Sequence, residues 1–174
     1  MKYLLDGQET ERLSFRLLEE SDFDEWVELF KTEEAIKYLG LDKNKLPAVH
    51  CREWFNKVFS RYENDEGGMN VLIEKATGNF VGQCGLLVQT VENNKELEIG
   101  YSVLPSQWGK GFATEAAQRC RNEAFEKDYT DSLISIIHVD NVMSRKVAQN
   151  NGMYLDKTTT FNKIPVDIFR IDKT

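Results

Sequence analysis

The amino-acid sequence predicts an α+β fold with the order strand, helices, three strands, helix, strand, helix, two strands. Short segments of alternating polarity are typical of strands, and apolar residues spaced by three or four are typical of helices. Turn sequences also separate consecutive strand-like segments in the middle of the chain. The 174 residues contain no internal repeat and no Pro/Gly/Ser-rich linker, so we expect residues 1–174 to form one domain.

The first third of the chain predicts one strand followed by helices. Arg12–Leu17 alternates polar and apolar residues, as a half-buried strand does. Ser21 or Asp22 is a suitable N-cap for the first helix, whose apolar residues from position 23 to 30 recur at helical spacing. A short helical stretch follows over Ala35–Leu39, and a longer amphipathic helix begins after Pro47.

The middle of the chain predicts three consecutive antiparallel strands. Turn sequences at Thr77–Asn79 and Glu92–Lys95 separate them, which favours hairpin connections. The predicted strands are Met69–Glu74, Phe80–Val88 and Glu96–Leu104.

The last part of the chain alternates helices and strands. A long helix follows Gly111, with small and apolar residues spaced by four, and Leu133–Val139 is an isoleucine-rich strand. Asn141 is a good N-cap for a helix that ends at Gly152, because glycine readily takes the left-handed conformation after a helix. Two further strands close the chain, Tyr154–Phe161 and Val166–Ile171.

Composition argues against several classes of function. The net charge of −7 does not suit non-specific nucleic-acid binding, which needs clustered basic residues, whereas it suits a cationic substrate such as an amine. No apolar run is long enough to span a bilayer. The cysteines are widely spaced and only two histidines are present, so we expect neither disulfides nor a metal site, and we expect the protein in the cytoplasm. These residues are Cys51, Cys84, Cys120, His50 and His138.

Gly109 and Gly111 lie immediately before the long central helix, where the first main-chain N–H groups have no partner within the helix. Glycine lets the main chain approach a ligand closely, the helix dipole favours an anion, and Lys110 adds a positive charge. The segment therefore predicts an anion site, and a diphosphate is a natural occupant. The alternative is a glycine-rich turn that only starts a helix. The Walker A pattern is absent, and Thr114 stands where a Rossmann fingerprint would end in glycine.

The segments around these glycines resemble the central motif of the GNAT superfamily of acyl-CoA N-acyltransferases. They are Leu97–Val103 (LEIGYSV), Pro105 and Trp108–Ala116 (WGKGFATEA). The resemblance is closest to the RimJ/RimL-like branch, the ribosomal-protein N-terminal acetyltransferases and their relatives. Thr10–Leu13 with Arg16 resembles the opening strand of that branch, and Asn141–Val147 with Gly152–Met153 resembles its second motif.

This resemblance implies a mixed seven-stranded sheet flanked by about four helices, with acetyl-CoA as cosubstrate and no metal. The fourth and fifth strands would splay apart around the pantetheine arm, and the pyrophosphate would lie on the main-chain N–H groups before the long helix. Trp108 stands where the general pattern has Gln or Arg, which removes one side-chain contact. The expected cofactor-binding residues are Tyr101, Ser102, Val103, Trp108, Gly109, Lys110, Gly111, Phe112, Ala113, Thr114, Asn141 and Ser144.

The resemblance also implies direct acetyl transfer from the thioester to an amine, which must lose a proton before it attacks. Glu98 is the first candidate for the base, because it shares a strand face with Gly100 and Ser102, and Glu96 is the alternate. Ser144 is a candidate catalytic residue near the sulfur, or it makes only a local main-chain hydrogen bond. Ala148 occupies the position of the tyrosine that serves as general acid in many relatives.

The acceptor is not named by the sequence. We expect a primary amine, from a protein N-terminus or a small molecule, to bind between the helices of residues 23–62 and the hairpin around Asn162–Pro165. A monomer or homodimer is expected, with no nucleic-acid or membrane partner. Two alternatives remain: a catalytically silent acyl-CoA sensor, which the missing tyrosine leaves open, and an interaction module without a cofactor.

Overall fold

Seven strands form one mixed sheet in the computed structural model, which describes residues 1–174. The strands are β1 (Leu13–Arg16), β2 (Gly67–Glu74), β3 (Phe80–Val91), β4 (Asn94–Val103), β5 (Ser132–His138), β6 (Tyr154–Phe161) and β7 (Ile164–Asp172). The helices are α1 (Phe23–Trp26), α2 (Glu33–Tyr38), α3 (Pro47–Glu63), α4 (Phe112–Glu126) and α5 (Val142–Asn150). The sheet order is β1-β2-β3-β4-β5-β7-β6. The predicted fold class and element order are confirmed. None of the five helices has the length and apolar character required to cross a bilayer.

The first helix is shorter than its apolar spacing predicts. α1 ends at Trp26, and a 3₁₀ helix continues over Val27–Lys31. The Thr32 hydroxyl donates to the Leu29 carbonyl over 2.7 Å and accepts from the N–H of Ala35 over 3.2 Å. Thr32 therefore ends one helical segment and caps the next, because a threonine side chain can satisfy the free groups of both.

The hairpin between β3 and β4 is tighter than predicted. Glu92 and Asn93 have φ of +48° and +67°, the pair of positive values that a two-residue type I′ turn requires. The predicted four-residue turn over Glu92–Lys95 was therefore too wide, and both strands extend further into it. This turn sets a register in which Gln89 lies opposite Glu96.

β4 and β5 run parallel but share only one register pair, Glu98 with Ile134. One residue further on, the Ser135 hydroxyl donates to the main-chain carbonyl of Ile99 over 2.8 Å. The Ser135 hydroxyl thus donates to a β4 carbonyl that a main-chain N–H of β5 would bind in a regular parallel pair. Beyond it the two strands diverge and leave a gap.

The two faces of β4 point into different layers. Leu97 and Ile99 belong to the apolar core shared with α4 and α5. The opposite face carries Glu98 and Gly100, and a Cβ on Gly100 would contact the Leu87 side chain, which packs in the core shared with α3. The alternation predicted for Glu98 and Gly100 is present. Successive β4 side chains beside the gap therefore face α4 and α3 in turn.

Candidate active site

Two cavities meet in the gap between β4 and β5. The larger, about 760 Å³, runs past the end of β4 to the first turns of α4 and α5. The smaller, about 340 Å³, lies between the gap and α3. The two cavities adjoin, because eight residues line both, and the pair is called the cleft. The shared residues are Tyr38, Leu39, Tyr101, Ser102, Ile136, Ile137, His138 and Ser144.

A row of free main-chain donors lies at one end of this cleft. None of the N–H groups from Gly109 to Thr114 donates a hydrogen bond to another protein atom. Gly109 and Gly111 have φ of +76° and +81°, and a Cβ on Gly109 would meet nothing within 4 Å. The free donors lie at the N-terminus of a 15-residue helix, where the dipole favours an anion. The geometry fits a diphosphate group.

Nearly all of the predicted cofactor-binding residues line the larger cavity. They are Tyr101, Ser102, Val103, Trp108, Gly109, Gly111, Phe112, Ala113, Thr114, Asn141 and Ser144. Lys110 is the exception, because it does not line the cavity and its ammonium group donates to Oε1 of Gln107 over 3.1 Å. Its charge therefore lies near the loop without pointing into the cleft.

Arg12 holds the glycine loop from outside, a role that sequence patterns did not reveal. Its Nη1 donates to the carbonyl of Lys110 over 2.9 Å, and its Nε donates to Glu115 over 2.7 Å. The guanidinium also lies 4.4 Å from the centre of the Phe112 ring. These contacts join the residue before β1 to the start of α4, about a hundred residues later in the sequence, and no local spacing signals such a pair.

The main chain of β4 presents alternate residues to the gap. The carbonyl of Ile99 points toward β5, where Ser135 donates to it. By the two-residue period of a strand, Tyr101 points its polar groups the same way. Ser102 does not, since its carbonyl oxygen would lie 2.4 Å from a Cβ placed on Gly82 of β3. Main-chain contacts into the gap are thus available from Tyr101, whereas Ser102 lines the cleft in another orientation.

Asn141, Ser144 and Tyr101 connect α5 to β4. The side chain of Asn141 accepts from the N–H of Ser144 over 3.1 Å, so the predicted N-cap is present. The Tyr101 hydroxyl donates to the main-chain carbonyl of Ser144 over 2.7 Å. The Ser144 hydroxyl lines both cavities and makes no hydrogen bond to protein atoms, which leaves it available to a ligand.

Glu98 lies in the smaller cavity and is 9% exposed. Its carboxylate accepts from Nε2 of Gln89 over 2.8 Å. Burial raises the pKa of the Glu98 carboxyl above its usual value, although Gln89, Arg61 and Lys57 act in the opposite direction. A carboxyl with a raised pKa in a cleft is suited to accept a proton.

Glu96, the alternate candidate for the base, is held elsewhere. Both of its carboxylate oxygens accept from Arg170, over 2.8 and 3.1 Å. It lines neither cavity. The position of the missing tyrosine, Ala148, is fully buried in the core beside α4.

The three thiols are buried away from the cleft. The sulfur atoms of Cys84 and Cys120 lie 3.6 Å apart, and burial raises the pKa of the Cys51 thiol to about 12. None of the three lines either cavity, so a cysteine nucleophile has no place in this site. No group of three or more His, Cys, Asp or Glu side chains is arranged to hold a metal ion.

Gln89 and Arg61 contribute to the site and were not predicted. The signal for Gln89 was available, because a two-residue turn at Glu92–Asn93 places it diagonally across from Glu98 on the same sheet face. The position of Arg61 depends on how α3 docks against β3 and could not be read from local sequence.

Comparison with known proteins identifies relatives across almost the whole chain. Residues 12–154 match the acetyltransferase (GNAT) domain family. The uncharacterized protein YkkB of Bacillus subtilis is 32% identical over 164 residues, which cover 92% of each chain. The uncharacterized N-acetyltransferase p20 of Bacillus licheniformis is 27% identical, over 79% of this chain and 76% of its own.

Among solved structures, an acetyltransferase from Agrobacterium tumefaciens superposes with a TM-score of 0.81 at 24% identity, covering 99% of this chain and 98% of its own. RimL, the ribosomal L7/L12 α-N-protein acetyltransferase solved in complex with coenzyme A, superposes with a TM-score of 0.73 at 16% identity, covering 96% and 97%. At these identities the superpositions establish a shared fold.

Proposed function

The chain belongs to the acetyltransferase (GNAT) family and is an N-acetyltransferase, and we propose that it transfers acetyl from acetyl-CoA directly to a primary amine in a ternary complex. Residues 1–174 would act as one domain. We also propose that it functions in the cytoplasm as a monomer or homodimer, without a nucleic-acid or membrane partner. Within the family we assign it to the RimJ/RimL-like branch, because its WGKGFATEA segment resembles that branch.

One observation carries this proposal. Of two adjoining cavities, one has free main-chain N–H groups at its far end and the other holds the buried carboxylate of Glu98. The first feature suits a diphosphate and the second suits a proton acceptor. Ser144 lies where the two cavities meet, so a donor and an acceptor that bind at opposite ends would come together beside it.

The residues around the larger cavity fit acetyl-CoA, which supplies an activated acetyl thioester. The N–H groups from Gly109 to Thr114 would bind its diphosphate. Tyr101 would offer main-chain groups to the pantetheine arm, and Asn141 would contact the cofactor while it caps α5. These assignments use groups that have no other partner or that line the cavity directly.

In the proposed reaction Glu98 accepts a proton from the ammonium form of the acceptor, so that the neutral amine can attack. Its carboxylate faces the smaller cavity, which lies on the α3 side of the sheet. As the nitrogen–carbonyl bond forms and the C–S bond breaks, the Ser144 hydroxyl, which has no hydrogen-bond partner in the protein, donates a hydrogen bond to the departing sulfur. The proton that the nitrogen loses after attack ends on the CoA thiol. No tyrosine is required for this step.

The acceptor would be a protein N-terminus or a small amine that fits the smaller cavity of about 340 Å³. Proteins of similar fold include RimL and a spermidine N-acetyltransferase from Vibrio cholerae. Both names describe amine acceptors, which supports the class of substrate.

Two measurements test the proposed function against the alternative of a catalytically silent sensor. Calorimetric titration with CoA should show binding, and a free-thiol assay with acetyl-CoA and a panel of primary amines and N-terminal peptides should show acceptor-dependent release of CoA. Glu98→Gln should bind CoA as the parent does and release thiol more slowly. CoA binding without thiol release for any acceptor would favour the sensor, and no binding would refute the proposal.

A further inference from the structure

Hydrogen bonds connect α3 to the carboxylate of Glu98 through one amide. Nη2 of Arg61 donates to Oε1 of Gln89 over 3.1 Å, and Nε2 of Gln89 donates to Oε2 of Glu98 over 2.8 Å. The two charged residues are 8% and 9% exposed, so both ends of the connection are shielded from water. A buried cation and a buried anion are therefore joined through a neutral group.

Arg61 determines which way the Gln89 amide is turned. A guanidinium has only donors, so the amide must present its oxygen to Arg61 and its NH₂ group to Glu98. The opposite orientation would set donor against donor at one end and acceptor against acceptor at the other. Arg61 is itself fixed by the main-chain carbonyls of Val88, at 2.8 Å, and Glu66, at 3.3 Å.

The intervening amide also separates the two charges. A guanidinium in direct contact with a carboxylate strongly favours the ionised form and makes a weaker base. With Gln89 between them, Glu98 accepts hydrogen bonds from the neutral Gln89 amide and the Ile136 N–H, and the Arg61 guanidinium acts on it only at a distance. The groups that face it are Gln89 from β3, Arg61 and Lys57 from α3, the N–H of Ile136 from β5, and Tyr101 from β4.

We propose that Arg61 and Gln89 are positioning residues, which aim the carboxylate of Glu98 at the acceptor amine without forming an ion pair with it. This inference rests on the proposed function, in which Glu98 is the base. Arg61 acts only through Gln89. The orientation of the Glu98 carboxylate therefore depends on how α3 contacts β3.

Gln89→Met tests the proposal, because methionine keeps most of the side-chain volume and removes the donor. The titration of Glu98 can be followed by NMR in protein labelled with ¹³C at the glutamate side-chain carboxyls, with Glu98→Gln to assign the signal. Loss of a donor to the ionised form should move the midpoint to higher pH. An unchanged midpoint would overturn the proposal.

Kinetics supply a second readout. With acetyl-CoA and the amine panel, Gln89→Met should lower kcat about tenfold, a part of what general-base catalysis contributes, and move the acid limb of kcat/KM to higher pH. CoA affinity should stay at the parent value. In a Glu98→Gln background Gln89→Met should have little further effect, whereas full additivity would show that Gln89 does not act through Glu98.

Gln83→Met is a matched control on the same strand. Gln83 is a buried glutamine that accepts from Trp54 over 3.1 Å and does not contact Glu98. The Gln83→Met substitution should lower thermal stability while leaving the titration midpoint of Glu98 unchanged. Arg61→Met should move the Glu98 midpoint in the same direction as Gln89→Met. Arg61→Lys should cause a smaller shift than Arg61→Met, because lysine can still donate to the amide oxygen.

The two proposals fail in different ways. If Glu98→Gln retains full turnover, Glu98 is not the base and the proposed function must change, even where the NMR midpoint responds to Gln89. If Glu98→Gln is impaired but Gln89→Met changes neither the midpoint nor kcat, only the positioning proposal is wrong.

Discussion

The indole Nε1 of Trp108 donates a hydrogen bond to the main-chain carbonyl of Val103 over 2.8 Å. Val103 is the last residue of β4, and Trp108 begins the glycine loop. The general superfamily pattern has Gln or Arg at this position. In this chain the tryptophan binds the protein's own main chain and fixes the loop to the strand beside the gap.

Trp108→Phe should therefore weaken CoA binding. The substitution keeps an aromatic ring and removes one hydrogen bond, which contributes about 1 kcal/mol and corresponds to about fivefold in Kd. Calorimetric titration with CoA measures the change. Trp54→Phe is the control, since it removes an indole bond to Gln83 outside the larger cavity. If both variants bind CoA as the parent does, the bond does not organise the loop.

Gly111→Asp should reduce CoA affinity by at least tenfold, an order-of-magnitude expectation from placing a carboxylate beside a diphosphate. Gly78→Asp provides a control for main-chain strain, because its φ of +74° is close to the +81° of Gly111 and a Cβ there meets nothing within 4 Å. Both variants should lose stability through main-chain strain, and at Gly111 the added Cβ would also lie 3.4 Å from Nη2 of Arg12. Equal CoA affinities would refute the assignment of the loop.

Ser144→Ala should lower kcat and leave the protein stable, since the hydroxyl makes no hydrogen bond to protein atoms. We expect a loss of about tenfold in thiol release if the hydroxyl serves the departing sulfur. Ser144→Thr keeps the hydroxyl and should recover much of the rate. A parent rate in the alanine variant would show that the Ser144 hydroxyl takes no part in the transfer.

Glu98→Gln should stabilise the protein at neutral pH. Burial raises the pKa of the Glu98 carboxyl in the folded state, so the folded state binds more protons than the unfolded state and stability falls as pH rises through that window. Thermal unfolding of both proteins from pH 4 to pH 8 checks this expectation. The advantage of the variant should shrink toward acid pH, and a pH-independent difference would contradict burial of the charged carboxylate as its cause.

Most of the fold, and those parts of the site that depend on neighbouring residues, could be predicted from the sequence. Asn141 shows its capping role by residue type and position, and the glycines before α4 show theirs by the conformations they allow. The Glu92–Asn93 turn carries the β3–β4 register, although the predicted turn was too wide. These features depend on neighbours in sequence.

The remainder of the site depends on contacts between distant segments. Arg12, the residue before β1, contacts Glu115 in the first turn of α4, and Arg61 of α3 contacts Gln89 of β3. Residue charge alone was misleading for Lys110, which lies within the loop but whose ammonium group donates to Gln107. Helical periodicity predicts which face is buried, but not which strand the face will meet.

The single register pair between β4 and β5 divides the sheet into a four-stranded and a three-stranded block that meet at a pivot near Ser135 and Ile99. Antiparallel ladders hold each block together internally, so we expect the two blocks to rock relative to each other more easily than either block deforms. A molecule that hydrogen-bonds to the facing edges of both β4 and β5, beyond Ser135, would link the two blocks and restrict that motion. When CoA is added, amide hydrogen exchange should then slow in both β4 and β5, including at residues that CoA does not contact.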